Sequence, residues 1–135
     1  MKPYYSPLSA NSHKVRIAAA LLDIPLELQN VELPKGEQRA PDYLAINPMG
    51  KVPMLVDGDF VLPESAAITI YLAESKPGNM LYPAERRARA EVNRWLFWAA
   101  SHWAPAIGAL AFEKVLKPRF SAASRTLCRS NARKT

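Results

Sequence analysis

The sequence predicts an α/β fold with a mixed sheet over the first 76 residues, followed by an all-α segment. Three observations carry this. Strand and helix signals alternate in the order βαβαββα up to residue 76. The stretch SKPGN at 75–79 is a break of linker composition. Beyond it, apolar residues fall at helical spacing only. The chain has 135 residues, enough for one compact domain, or for one small domain and a fragment of a second. No internal repeat is visible.

Each element has its own reason. Residues 2–5 read as a short strand. Residues 12–22 read as a helix, with Val15, Ala18, Ala19 and Leu22 on one face. Residues 26–33 read as a second strand whose alternation slips at Gln29-Asn30, where a bulge fits. Pro41-Asp42-Tyr43-Leu44 reads as a short helix with proline in its first turn. Residues 52–56 and 60–62 flank Asp57-Gly58-Asp59, a hairpin signal. Residues 65–74 read as a helix. A strand-helix-strand start implies a parallel pair joined by a right-handed crossover, and the hairpin adds an antiparallel edge. After the break, Ala88, Val92, Trp95 and Ala99 share a helix face, and Glu85 with Arg89 forms an i, i+4 pair on another. Pro105 interrupts this helix and Pro118 ends its continuation.

Composition excludes several classes. Apolar residues are 49% and charged residues 22%, an ordinary globular balance. The net charge of +6 suggests nucleic acid, but the last fifteen residues hold Arg125, Arg129, Arg133 and Lys134 and no acid. Without those four the balance is 14 basic against 12 acidic residues. No basic face with interleaved aromatics is present, so no nucleic-acid partner is expected. The single cysteine, Cys128, allows no disulfide framework and fits a reducing compartment. The first residues lack an apolar core of signal-peptide type, so a cytoplasmic location is expected. Residues 95–112 run for eighteen positions without a charge. That length touches the threshold for a membrane span. Ser101, His102, Pro105 and Gly108 weaken it, and a buried helix or subunit contact is the expectation.

Two placements point to a ligand. In GKVPMLVDGDFVLPESAAITIYL (residues 50–72), a proline stands second in a strand-like run and an acid–hydroxyl pair stands where a helix begins. Pro53 cannot donate to a ladder and belongs at a strand start or edge. A trans proline merely opening an edge strand is one reading. The other is a cis Val52–Pro53 bond, turning the Val52 amide and carbonyl outward to pair with an extended, peptide-like ligand. Ser65 suits the N-cap of the next helix. A helix N-terminus offers N–H groups and positive potential to a carboxylate. Glu64 would meet an ammonium group, and the two together describe the amino-acid end of a ligand. A plain capping serine beside a solvated glutamate is the alternative. The spacing after Pro53, one hairpin away, favours the ligand. The turn SPLSANS (residues 6–12) places hydroxyls at another helix start, where they can donate to an anion such as a thiolate. Ser9, Asn11 or Ser12 could equally be a simple cap there.

These residues resemble a family. Residues 1 to about 76 are similar to the thioredoxin-like N-terminal domain of cytosolic glutathione S-transferases, closest to the bacterial theta-, beta- and nu-like branches. YYSPLSANSHKVRIAAALLDIPLE and INPMGKVPMLVDGDFVLPESAAITIYLAE carry the resemblance, above all N-P-x-G-x-V-P paired with E-S-x-A-I-x-x-Y-L. It implies a cis Val52–Pro53 bond whose Val52 backbone holds the cysteinyl part of glutathione. It implies that Glu64 and Ser65 hold the γ-glutamyl end, and that Lys51 and Lys35 serve the glycyl carboxylate. The beta-like cysteine position is Ala10, and Tyr5 lacks the Arg-Gly that follows a tyrosine-type activator. The theta-like pattern, a serine opening the first helix, fits Ser9, with Asn11 and Ser12 as runners-up.

The resemblance also implies what is short. The family's helical domain spans well over a hundred residues. The expected organisation is a glutathione-binding domain at 1–76, a linker at 77–84, an incomplete all-α domain at 85–120, and a disordered tail at 121–135. Trp95, Phe97, Trp98 and Trp103 would face water unless covered, implying a homodimer or low stability. The function implied is transfer of glutathione, a co-substrate with no metal, to a small hydrophobic electrophile, with Ser9 activating the thiol. A detoxifying role follows. The competing reading is a glutathione-binding or protein-interaction module without turnover. A reductase or isomerase ranks below both, for lack of a cysteine in SANS. His13 and His102 are expected to be structural and Cys128 an idle thiol.

Overall fold

A computed structural model describes residues 1–111, 113, 114 and 117. The tail at 121–135, with Cys128, and Pro118 lie outside the described residues. The chain divides into two compact units, one from Met1 to Ala90 and one beginning at Glu91.

In the first unit the elements are β1 (Lys2–Tyr5), α1 (Ala10–Leu21), β2 (Gln29–Asn30), α2 (Pro41–Ile46), β3 (Met54–Asp57), β4 (Phe60–Pro63) and α3 (Ser65–Glu74). This is the βαβαββα order read from the sequence, with two short 3₁₀ turns, Leu33–Lys35 and Glu37–Arg39, before α2. The sheet order is β2-β1-β3-β4, with β1 and β2 parallel and the other pairs antiparallel. The mixed sheet of a thioredoxin-like domain is therefore present.

Local chemistry sets the boundaries. Helix α1 starts two residues earlier than the apolar spacing suggests, because Ser9 caps it. It stops in a Schellman arrangement: Asp23 takes φ 51°, its N–H reaches the Ala20 carbonyl (3.2 Å), and the Ile24 N–H reaches that of Ala19 (2.9 Å). The second strand is much shorter than expected. The chain does run extended beside β1, with Glu27 N–H donating to Met1 (3.1 Å) and Val31 N–H to Tyr5 (2.8 Å), but ladder pairing is confined to Gln29–Asn30. The 3₁₀ turn at Leu33–Lys35, with Pro34, then bends it away. The β3–β4 hairpin closes over Gly58-Asp59, Asp57 pairing with Phe60 and Gly58 at φ 62°.

The sheet is covered on both faces. Leu55 points to one side, where Val15, Ala19, Leu22, Ile68, Leu72 and Ala73 of α1 and α3 meet it. Its neighbour Met54 points to the other, against Val31 and Tyr43. Alternate side chains of one short strand thus join two clusters, as a pleated strand requires.

The second unit contains the end of α4 (Arg86–Trp98), a π-helical turn (Ala99–Trp103) and α5 (Ala104–Ala111). The interruption expected at Pro105 appears as this widened turn. Proline lacks an N–H and its ring crowds the carbonyl four residues back, so the helix loosens before it. Two readings need correction. Leu96, not Trp95, joins the half-buried stripe of Ala88, Val92 and Ala99. Glu85 does not pair with Arg89: its carboxylate caps α4, accepting from Arg87 N–H (2.9 Å) and Ala88 N–H (2.7 Å). Those two N–H bonds, Arg87's first, hold its pKa below the usual glutamate range. Arg89 turns instead to the Pro83 carbonyl (2.9 Å) and the Tyr82 ring. Residues 95–111 do not form a buried helix in this chain: no residue of α4, the π turn or α5 is buried. Among the described residues, no helix is long and apolar enough to cross a membrane.

Candidate functional site

Three loops of the first unit carry the residues singled out from sequence. The turn between β1 and α1 carries Ser9. Its backbone is extended (φ −103°, ψ 113°), its N–H donates to the Ser6 carbonyl (3.0 Å), and its Oγ accepts from Ser12 N–H (3.2 Å). Because Oγ accepts there, its own proton is available to another acceptor. The runners-up separate clearly. Ser12 is fully buried, its Oγ taking the Ser6 N–H (3.3 Å), so it builds the turn from inside. Asn11 is exposed on the first turn of α1.

The second loop precedes β3. The Val52–Pro53 bond is cis. Neither the Val52 N–H nor its carbonyl has a hydrogen-bond partner among the described residues. The loop is held by Asn47, which is buried: its Nδ2 donates to the Lys51 carbonyl (2.8 Å), its Oδ1 accepts from Met49 N–H (3.3 Å), and its carbonyl accepts from Gly50 N–H (2.9 Å). Tyr43 donates its hydroxyl to the same Lys51 carbonyl (2.6 Å). Burial lifts the Tyr43 pKa above the ordinary tyrosine range, so the donor stays protonated. Lys51 thus anchors the loop through its backbone while its side chain is exposed.

The third loop is the head of α3. Ser65 is not the N-cap expected of it. Glu64 occupies that place and Ser65 is the first helical residue, with no side chain capping the helix. The first bond of the helix is Ile68 N–H to the Glu64 carbonyl, which leaves the amides of Ser65, Ala66 and Ala67 open. Glu64 has φ 73° and ψ 112°, sparsely populated by any residue with a side chain. Its charge is felt by Lys14 on α1. Burial lowers the Lys14 pKa, and the Glu64 carboxylate opposes that fall.

Lys35 sits elsewhere in charge terms: its Nζ is 2.8 Å from Glu32 Oε2, and it is well exposed. The side-chain bond to Glu32 raises its pKa. A further cation, Arg39, reaches the loop before β3. A Cβ added to Gly50 would lie 2.8 Å from an Arg39 guanidinium nitrogen and 2.9 Å from the Gln38 carbonyl, so the guanidinium is packed on the loop that ends at Pro53. Gln38 Oε1 is buried without a hydrogen-bond partner among the described residues. Neither residue is visible from spacing alone, since eleven positions separate Arg39 from Gly50; Gly50, which the structure places at φ 58°, marks only that something approaches the loop closely. Among the described residues, no three His, Cys, Asp or Glu side chains gather as a metal site.

Comparison with known proteins points to one family. The model of the glutathione S-transferase N-terminal domain matches residues 8–75. The chain belongs to the glutathione S-transferase family. Glutathione S-transferase theta-2 of Homo sapiens is 41% identical over 112 residues, covering 82% of this chain and 46% of the relative. The crystal structure of a possible glutathione S-transferase from Rhodopseudomonas palustris superposes with a TM-score of 0.78 at 40% identity, covering 93% of this chain and 56% of that one. A glutathione transferase homolog from Sulfitobacter, solved with bound glutathione, gives a TM-score of 0.71 at 35% identity, covering 78% and 51%. The chain spans about half the length of the curated relatives it matches. The three loops described above all lie within residues 1–75.

Proposed function

We propose that this chain binds glutathione across the Val52 edge and the head of α3, and that Ser9 activates the bound thiol for attack on a small hydrophobic electrophile. The observation that carries this is a set of backbone groups without internal partners: the Val52 N–H and carbonyl, and the uncapped amides of Ser65 and Ala66 next to Glu64 at φ 73°. Unpaired backbone polar groups are strong ligands for a peptide. The γ-glutamyl carboxylate would take the α3 amides and the Ser65 hydroxyl, and its ammonium group the Glu64 carboxylate. The cysteinyl backbone would pair with Val52, next to Pro53. Lys51 and Arg39 are the cations suited to the glycyl carboxylate. Lys35 would have to leave Glu32 to join them.

The chemistry then needs only a hydroxyl. Ser9 Oγ, polarised by accepting the Ser12 N–H, donates its proton toward the sulfur. That bond favours the thiolate and lowers the thiol pKa from about 8.5. The thiolate forms a carbon–sulfur bond to the electrophile, the leaving group departs with its electron pair, and the thiol proton passes to solvent. The relative with glutathione in its crystal structure supports the choice of ligand. We further read the protein as a cytoplasmic, detoxifying homodimer; family membership and the uncovered tryptophans of α4 and the π turn support that reading.

Two measurements on the whole chain test this. The thermal midpoint should rise with glutathione concentration, as mass action requires of a ligand that binds only the folded state. An aromatic halide should be consumed in proportion to glutathione. A midpoint indifferent to glutathione would overturn the binding claim; a shifted midpoint without turnover would leave a binding module.

A further inference from the structure

We propose that His13 is a positioning residue for Ser9, strapping down the turn that presents the hydroxyl; this rests on the role of Ser9 given above. The turn from Ser6 to Ser9 stands largely in water at its apex, where Pro7 and Leu8 are exposed, Leu8 at 70%. Its base is fixed from inside, by Ser6 N–H on the buried Ser12 Oγ (3.3 Å). At the apex, the Leu8 N–H contact with Ser6 Oγ is long, at 3.5 Å. The firm bond there is from His13 Nε2 to the Pro7 carbonyl, at 2.9 Å. His13 sits one helical turn beyond Ser9, so its main-chain N–H also donates to the Ser9 carbonyl (3.1 Å). One residue therefore grips the chain on both sides of Leu8.

A carbonyl oxygen only accepts, so Nε2 must carry the proton. The neutral ring in this tautomer and the imidazolium both keep that N–H, so the strap survives protonation. Its purpose follows from what Ser9 has to do. Oγ must accept from Ser12 N–H and aim its proton outward at the same time. A drift of the apex moves the Ser9 backbone and spoils the second task before the first.

The test uses His13→Ala, His13→Asn and His13→Gln in the full chain. A glutamine amide nitrogen reaches the place of Nε2, while that of asparagine falls short. The thiol of bound glutathione is titrated by its thiolate absorbance, and kcat and KM are measured with an aromatic halide. The alanine and asparagine variants should raise the bound thiol pKa and lower kcat about two- to tenfold, the scale of one exposed hydrogen bond, with KM for glutathione little changed. Glutamine should recover most of the loss. Glutamine failing alongside alanine, or an unmoved thiol pKa in alanine, overturns the proposal. Hydrogen exchange at the Ser9 and Ser12 amides, in protein without ligand, judges the strap separately. Faster exchange in alanine than in glutamine supports it, and equal rates contradict it. Should the wild-type chain not bind glutathione, the proposed function fails, and the exchange result alone decides whether His13 holds the turn.

Discussion

The two units use apolar residues in opposite ways. In the first, Leu55, Ile68 and Leu72 are wholly buried between sheet and helices. In the second, Trp95 and Trp103 are 54% exposed and Trp98 43%; Trp98 stacks on Trp103 and meets Trp95 edge to face, and none is enclosed. Both are rich in apolar side chains, but among the described residues only the first unit closes a core around them. The loops bearing Ser9, Val52 and Glu64 are tied to elements whose positions two buried clusters fix, whereas the helical unit offers surface.

The largest expected effect breaks that comparison directly. Ile68→Ala should cost about 2–5 kcal/mol in denaturant unfolding, as a cavity in a closed core does. Trp98→Ala, though it removes far more atoms, should cost only about 0.5–1.5 kcal/mol, the scale of its aromatic contacts. Equal losses would mean the second unit is as well packed as the first.

Ser9→Ala sharpens the functional side. It should lower transferase turnover at least tenfold and raise the bound thiol pKa. Loss of the cap on α1 should also destabilise the fold by about 0.5–2 kcal/mol. Glu64→Gly should separate stability from binding. A residue with φ 73° is strained by about 1–3 kcal/mol, so glycine should leave the unfolding midpoint unchanged or raised. Glutathione affinity, measured by calorimetry, should fall with the lost carboxylate.

The smallest effect lies at the start of α4. The Glu85 pKa is depressed in the folded state by the Arg87 and Ala88 N–H bonds. A depressed carboxyl contributes stability above its unfolded pKa and loses it as pH falls through the folded value. The contribution is therefore complete above the ordinary glutamate range, about 4.3, and goes in acid below it. Glu85→Gln should flatten that part of the pH–stability curve, followed by circular dichroism.

Much of the site was legible because its signals are local. The E-S pair at a helix start, V-P before a hairpin and a serine opening a helix each declare themselves within a few residues. The hairpin and α3 fell where the Asp57-Gly58-Asp59 turn and the apolar spacing put them. The rest depends on which groups the folded backbone brings together. Lys35 reads as a free cation until Glu32 is seen 2.8 Å away. Arg39 gains its place only by folding onto Gly50. Ser65 reads as a cap because serine prefers that position, but Glu64, with its unusual backbone, takes the cap place and Ser65 becomes the first helical residue. Tyr43 and Asn47, which hold the Lys51 carbonyl, look like ordinary members of a short helix and its end.

Glutathione titrated into isotopically labelled protein, with backbone amides followed by NMR, addresses the main claim most directly. The amides of Val52, Ser65 and Ala66 should move first and furthest, with Ser9 following, while those beyond Glu91 stay in place. Shifts confined to the helical unit, or none at Val52 and Ser65 at saturating glutathione, would contradict it.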